Sequence, residues 1–179
     1  DGFRAALHRL QGCLLPIELW EQAILPARCL KYVPRNLDDL IAAGQWTWFC
    51  RRESEAGELM LAFAEREALA HLPPPTTMDA DPTATLALDA LRDRGALFAA
   101  DLATHVKLPI AVVRTSLWSL LKAGIVTNDQ FDLLRRGEPP PDHEPPHRGR
   151  SGTGRIIRVV PSLSRSTTLA ELGAGWSGP

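Results

Sequence analysis

The sequence predicts a mainly α protein with small β-hairpins, built twice on one plan. The first observation is a repeated phrase: Leu37-x-x-Leu40-Ile41-x-Ala43-Gly44 returns as Leu117-x-x-Leu120-Leu121-x-Ala123-Gly124. Both copies carry apolar residues at helical spacing, with a glycine where the helix must stop. The second observation is a β-prone stretch directly after each glycine, Gln45-Trp46-Thr47-Trp48-Phe49 in one copy and Ile125-Val126-Thr127 in the other. The third is a stiff break between the copies, His71-Leu72-Pro73-Pro74-Pro75. A glycine-closed helix running into a strand is the centre of a winged helix-turn-helix. Two such domains in tandem are therefore expected, over 1–72 and 82–136. A proline-rich linker over 73–81 joins them, and a poorly ordered Pro/Gly/Arg-rich tail with one short strand fills 137–179. Each half is expected to close its own core behind its own hairpin.

In the first half, Phe3, Ala6, Leu7 and Leu10 recur at helical spacing and Gly12 ends that helix. Leu15-Pro16 opens a second short helix with Ile17, Trp20 and Ile24 inward, and Pro26 is expected to end it. Tyr32-Val33-Pro34 reads as an extended connector, since the residue before proline avoids the α region. Asn36 is the expected N-cap of a helix through Ala43, with Asp38 and Asp39 in its first turn beside the positive dipole end. Trp46, Trp48 and Cys50 alternate with Thr47 and Phe49, and Leu59, Leu61 and Phe63 alternate with Met60 and Ala62. These are two strands of a wing, turned by the charged stretch 51–58.

In the second half, Asp81 or Thr83 caps a helix carrying Leu86, Ala87, Ala90 and Leu91, closed by Gly95. Ala96-Leu97-Phe98 is a short first strand, 101–106 a second helix, and Pro109 starts a third that carries Ile110, Val113, Leu117, Leu120 and Leu121 on one side. Asn128-Asp129 is a turn signal, with Phe131 and Leu133 expected on the returning strand. The tail holds a short strand near 155–160 and a turn of helix near 168–172.

Composition limits the function. The net charge is −1, from 20 Lys and Arg against 21 Asp and Glu. Neither half is basic, so a free-standing polyanion binder does not follow from charge alone. Any nucleic-acid contact must use a local patch. The opposite face of the second half's third helix offers Arg114, Thr115, Ser119 and Lys122, where a helix-turn-helix reads the major groove. Arg51 and Arg52 at the first wing tip are phosphate candidates, opposed by Glu53, Glu55 and Glu58. Arg148, Arg150, Arg155 and Arg158 form the densest basic run. Trp46 and Trp48 share a strand face and are the candidates for stacking on bases, with core packing the stronger reading. Trp20 and Trp118 lie on apolar helix faces and read as core.

No catalytic or metal site is expected. Cys13, Cys29 and Cys50 lack CxxC spacing and sit among apolar residues, which reads as buried free thiols. His143-Glu144-Pro145-Pro146-His147 matches a zinc-protease string. That chemistry needs a helix, which two central prolines forbid. Gly149-Arg150-Ser151-Gly152-Thr153-Gly154 lacks the Lys-Ser/Thr of a phosphate loop. There is no signal-peptide pattern and no apolar run of membrane-spanning length. Opening on Asp1, the chain is expected to be a piece of a longer cytoplasmic protein.

Two longer strings carry a resemblance. Leu10-Gln11-Gly12, Leu15-Pro16, Ile24-Leu25-Pro26-Ala27-Arg28 and Tyr32-x-Pro34-x-x-Leu37-Asp38-x-Leu40-x-Ala42-x-Gly44 resemble the C-terminal region of the large helicase-related (Lhr) proteins. So does Arg94-Gly95-Ala96-Leu97-Phe98-x-x-Asp101-Leu102, followed by Leu117-Trp118-x-Leu120-x-x-Ala123-Gly124-x-Val126-Thr127-Asn128-Asp129. The tail departs: Gly175-Trp176-Ser177 lacks the arginine of the family's Gly-Arg-Trp-Ser string. The resemblance implies a parent that is a bacterial superfamily 2 ATP-dependent DNA helicase active in DNA repair. It implies a motor, with its ATP and Mg, lying outside this chain, and a C-terminal array of winged helices plus a β-barrel that can support oligomers. The expected partners are DNA, the remaining domains of the parent and a further copy of the chain. The expected role is non-catalytic DNA positioning, with protein docking or oligomerisation as the alternative.

Overall fold

The computed structural model describes residues 2–52, 59–72, 81–137 and 156–159. The first unit runs α1 (Gly2–Arg9), β1 (Leu15–Pro16), α2 (Ile17–Leu19), a π-helical turn (Trp20–Ile24), α3 (Leu25–Arg28), α4 (Pro34–Ala42), β2 (Trp46–Arg52) and β3 (Leu59–Glu65), closed by a 3-10 turn (Glu67–His71). The second runs α5 (Pro82–Arg94), β4 (Leu97–Phe98), α6 (Ala99–Val106), α7 (Ile110–Lys122), β5 (Val126–Asn128), α8 (Asp132–Arg136) and β6 (Ile156–Val159). Each unit has one antiparallel three-stranded sheet with its last strand in the middle, β1-β3-β2 and β4-β6-β5. Helix, strand, two helical segments and two further strands in that order, with α8 inserted between the last two strands of the second unit, is the tandem winged-helix architecture that the repeated phrase predicted.

Local chemistry shifted several boundaries. Pro26 does not end its helix. In α geometry the proline ring would strike the Gln22 carbonyl. The preceding turn is instead widened, with the Leu25 N–H donating to Trp20 O, and helix continues to Arg28. Asn36 is not the N-cap of α4. The helix starts at Pro34, a favoured first position, and Asn36 reaches back so that its Oδ1 accepts from the Val33 N–H at 2.9 Å. Asp38 and Asp39 consequently lie in the second turn, away from the dipole end. Asp81 caps α5, accepting from the Ala84 N–H at 2.7 Å. Phe131 and Leu133 are not on a strand. Phe131 caps α8, and the strand that pairs with β5 is β6, drawn from the stretch expected to hold a strand in the tail. The linker's prolines, the stretch 138–155 and the residues from 160 onward lie outside the described residues.

The largest difference is in the interior. The winged-helix topologies are separate, but the two cores are not. One apolar cluster runs from Leu7, Trp20, Leu37 and Phe63 through Trp48 to Leu91, Leu120, Val126 and Phe131. Trp48 of β2 meets Phe131 edge-on at 6.1 Å between ring centroids, and Phe63 meets the same ring at 5.3 Å. A strand with apolar residues on both faces has two faces to cover. The Phe49 face is covered within the first unit by Leu14, Leu69 and Leu72, while the Trp48 face and the free edge of β2 also meet the second unit. Each large side chain so buried contributes about 1.5–3 kcal/mol.

Polar groups close the same seam. Thr127 Oγ1 donates to Trp48 O at 2.5 Å and lies 3.1 Å from Thr47 Oγ1, with both threonines buried. Arg66, just past β3, bonds Gly44 O and pairs with Asp129 at 3.0 Å. Arg135 on α8 reaches back across the seam. Its guanidinium pairs with Glu21 at 2.7 Å and with Asp38 at 2.8 Å, donates to Pro34 O, and lies over the Phe131 ring. Burial alone would lower the Arg135 pKa, but its hydrogen bonds to the two carboxylates raise it above the ordinary guanidinium value.

Candidate nucleic-acid interface

α7 is the helix that would enter a groove, and one side of it is buried in the structure. Val113, Ser116, Leu117, Trp118, Leu120 and Leu121 are buried against α5, α6 and the first unit's β2. Thr115 is exposed, while Arg114, Ser119 and Lys122 are half-buried. The Thr115 hydroxyl donates to Ala111 O and the Ser119 hydroxyl to Thr115 O, both at 3.2 Å, so these two are satisfied within the helix. Lys122 Nζ lies over the Trp118 ring at 5.9 Å. The four residues expected on one face do share it, as a narrow strip with two cations.

The first wing departs further from expectation. Arg51 and Arg52 belong to β2, paired with Met60 and Leu59, and are not in the turn. Arg51 is only 7% exposed, with its guanidinium over Phe49 at 5.0 Å and a hydrogen bond to Cys50 O. It faces the seam, so no phosphate reaches it. Trp46 and Trp48 are 1% and 0% exposed and leave no ring face for a base. Their shared strand face is core, because alternation sends i and i+2 to one side. Trp20 and Trp118 are core as expected, the Trp20 Nε1 donating to Leu61 O at 2.9 Å. In the basic run, Arg148, Arg150 and Arg155 lie outside the described residues, and Arg158 sits on β6 opposite Thr127.

All three cysteines are free, but only Cys50 is buried; Cys29 is half-buried and Cys13 exposed. Burial pushes the Cys50 thiol up to about 12, against the opposing charge of Arg51. The His143–His147 string lies outside the described residues, and no group of metal-binding side chains occurs among those described. No described helix is long and apolar enough to cross a membrane.

One surface carries no sequence motif. Between α1 and the turn after α3 lies an open groove of about 400 Å³, lined by Phe3, Arg28, Cys29, Leu30, Lys31 and Tyr32, with no acidic residue among the described residues of its lining. Phe3 and Tyr32 pack as a tilted ring pair 5.9 Å apart. Tyr32 donates its phenol to Glu21 at 3.0 Å; burial first, and the Glu21 charge second, raise its pKa above the ordinary phenol value. Leu30 is fully exposed at 105%. The available signal was an apolar residue inside a basic turn, Arg28-Cys29-Leu30-Lys31, at a point where neither helix nor strand needs it.

Comparison with known proteins agrees with this architecture. Residues 1–66 match the family model described as the winged-helix domain of the large helicase-related protein. The Lhr helicase/uracil glycosylase of Escherichia coli (strain K12) is 28% identical over 144 residues, covering 75% of this chain and 9% of that protein. The Lhr helicase/probable uracil glycosylase of Mycolicibacterium smegmatis (strain ATCC 700084 / mc(2)155) is 29% identical over 188 residues, covering 99% of this chain and 12% of that protein. The chain thus spans a small part of the length of the curated relatives it matches. The resemblance to the C-terminal region of the large helicase-related proteins is borne out, with residues 1–66 matching the winged-helix domain of that family.

Proposed function

We propose that this chain is a non-catalytic accessory module that positions DNA within an Lhr-type superfamily 2 ATP-dependent helicase acting in DNA repair in the cytoplasm. The observation that carries the reading is the winged-helix match over residues 1–66, on a unit fixed by buried contacts to a second winged helix. A rigid pair suits positioning, since a strand bound to one unit is held at a set angle to the other. ATP and Mg would act at the motor, outside this chain. Its partners would be DNA and the remaining domains of the parent. The test is a salt titration of binding to single- and double-stranded DNA. Binding is expected at low salt, weakening as log K falls linearly with log salt. Absence of binding at low salt overturns direct contact.

A second reading, protein docking or self-assembly without DNA contact, is favoured by the net charge of −1. Light scattering across concentrations separates the two. A strict monomer that binds DNA contradicts the second reading.

A further inference from the structure

We propose that the groove between α1 and the α3–α4 turn is a binding site for single-stranded nucleic acid, with the backbone on Arg28 and Lys31 and an unpaired base against Leu30 and the Phe3–Tyr32 wall. The inference rests on the DNA reading and names a surface for it that neither the wing nor α7 supplies.

Charge selects an anion. Arg28 and Lys31 line the groove, and none of its described lining residues is acidic. The nearby carboxylates are occupied. Glu21 and Asp38 are both held by Arg135, and Asp39 pairs with Arg35 at 3.5 Å. The clamp that fastens the two units therefore also offsets one of the two negative charges of Glu21 and Asp38. Arg28 makes one long contact, 3.5 Å to Ile24 O, and neither it nor Lys31 pairs with a described carboxylate.

Shape selects a single strand. A concave groove of about 400 Å³ with an apolar and aromatic wall holds a flat ring. In a duplex the bases are stacked and turned inward, so only an unpaired base can enter. Aromatic walls with flanking cations bind single strands with little sequence preference. The wall is pre-positioned, because Tyr32 is anchored through Glu21 to Arg135. Leu30 stands at the lip with its side chain wholly in water, an arrangement that gains from contact with a base face.

Cys29 lines the groove and reports on it. With Cys13→Ser and Cys50 buried, a maleimide reads Cys29. The experiment measures binding of a labelled ten-nucleotide oligothymidine to the chain at several salt concentrations, together with the rate of Cys29 labelling. At about ten times Kd the oligonucleotide should slow labelling about tenfold. A duplex of equal length should leave it unchanged. The exposed Arg28→Ala/Lys31→Ala pair should flatten the slope of log K against log salt by about 1.4, at roughly 0.7 per lost phosphate contact. Leu30→Ala should weaken binding severalfold with the slope unchanged. Oligonucleotide binding with unaltered Cys29 labelling and an unaltered slope in the double variant overturns the groove but keeps DNA positioning by another surface. No binding by any form at low salt overturns both. Equal protection by duplex overturns the single-strand assignment.

Discussion

Gly44 and Gly124 end the same phrase and have come to do different things. Both close a helix in the left-handed region, at φ +81° and +73°, and both lead into a strand. A Cβ on Gly44 would meet open space. On Gly124 it would fall well inside contact distance of Cys50 O and Arg51 Nη1. The wings diverge in the same way. Between β2 and β3 the chain has only residues 53–58, whereas between β5 and β6 it carries α8, and α8 carries Arg135. The first unit offers the edge strand β2, and the second supplies the helix end that lies against Cys50 and Arg51, the ring that meets Trp48 and the guanidinium that pairs with Glu21 and Asp38. Duplication set the local fold of each copy. The contact between copies set which residues became buried.

Substitutions can break this comparison in order of expected effect. Gly124→Ala should destabilise by about 4 kcal/mol or more in urea unfolding, because a backbone carbonyl cannot yield to the new methyl. Gly44→Ala should cost only the left-handed strain, about 1–2 kcal/mol. Equal losses at the two glycines would contradict the close approach. Arg135→Ala leaves Glu21 and Asp38 facing each other without a cation. About 2–3 kcal/mol should be lost, short of the fully buried case because the Asp38 side chain is 38% exposed. Adding Glu21→Gln and Asp38→Asn to that variant should recover part of the loss, a coupling that independent sites would not show. Thr127→Val removes the bond to Trp48 O and should cost about 1–2 kcal/mol in the same assay. The mildest probe is chemical. The thiolate is the reactive form, and a thiol held up near 12 stays protonated at pH 8. Cys13 should label at once in the native chain and Cys50 only on unfolding, as peptide mass analysis would show.

Within each unit the fold was legible because its signals are local. Helical spacing, glycine closure and strand alternation placed α4, β2, β3, α5 and α7 within a few residues. Pro26 misled because a widened turn upstream, invisible in the letters, moves the obstructing carbonyl. Asn36 misled because a cap can act from inside the first turn as well as before it. The candidate site was harder to read, since exposure depends on the other half. Alternation puts Trp46 and Trp48 on one face in any strand, but only the three-dimensional partner decides whether that face meets water. Arg51 reads as a phosphate ligand until Gly124 lies against it. The groove beside Lys31 escaped notice because its wall joins Phe3 and Tyr32, which no short pattern connects.

The central claim is that two winged helices share one interior and open together. Native-state hydrogen exchange in low urea, measured at the amides of β3 and of α5, tests it most directly. A shared interior predicts one common opening free energy for the slowest amides of both elements, falling together in Arg135→Ala. If α5 exchanged through a lower-energy opening while β3 stayed protected, the units would be independent and the account contradicted.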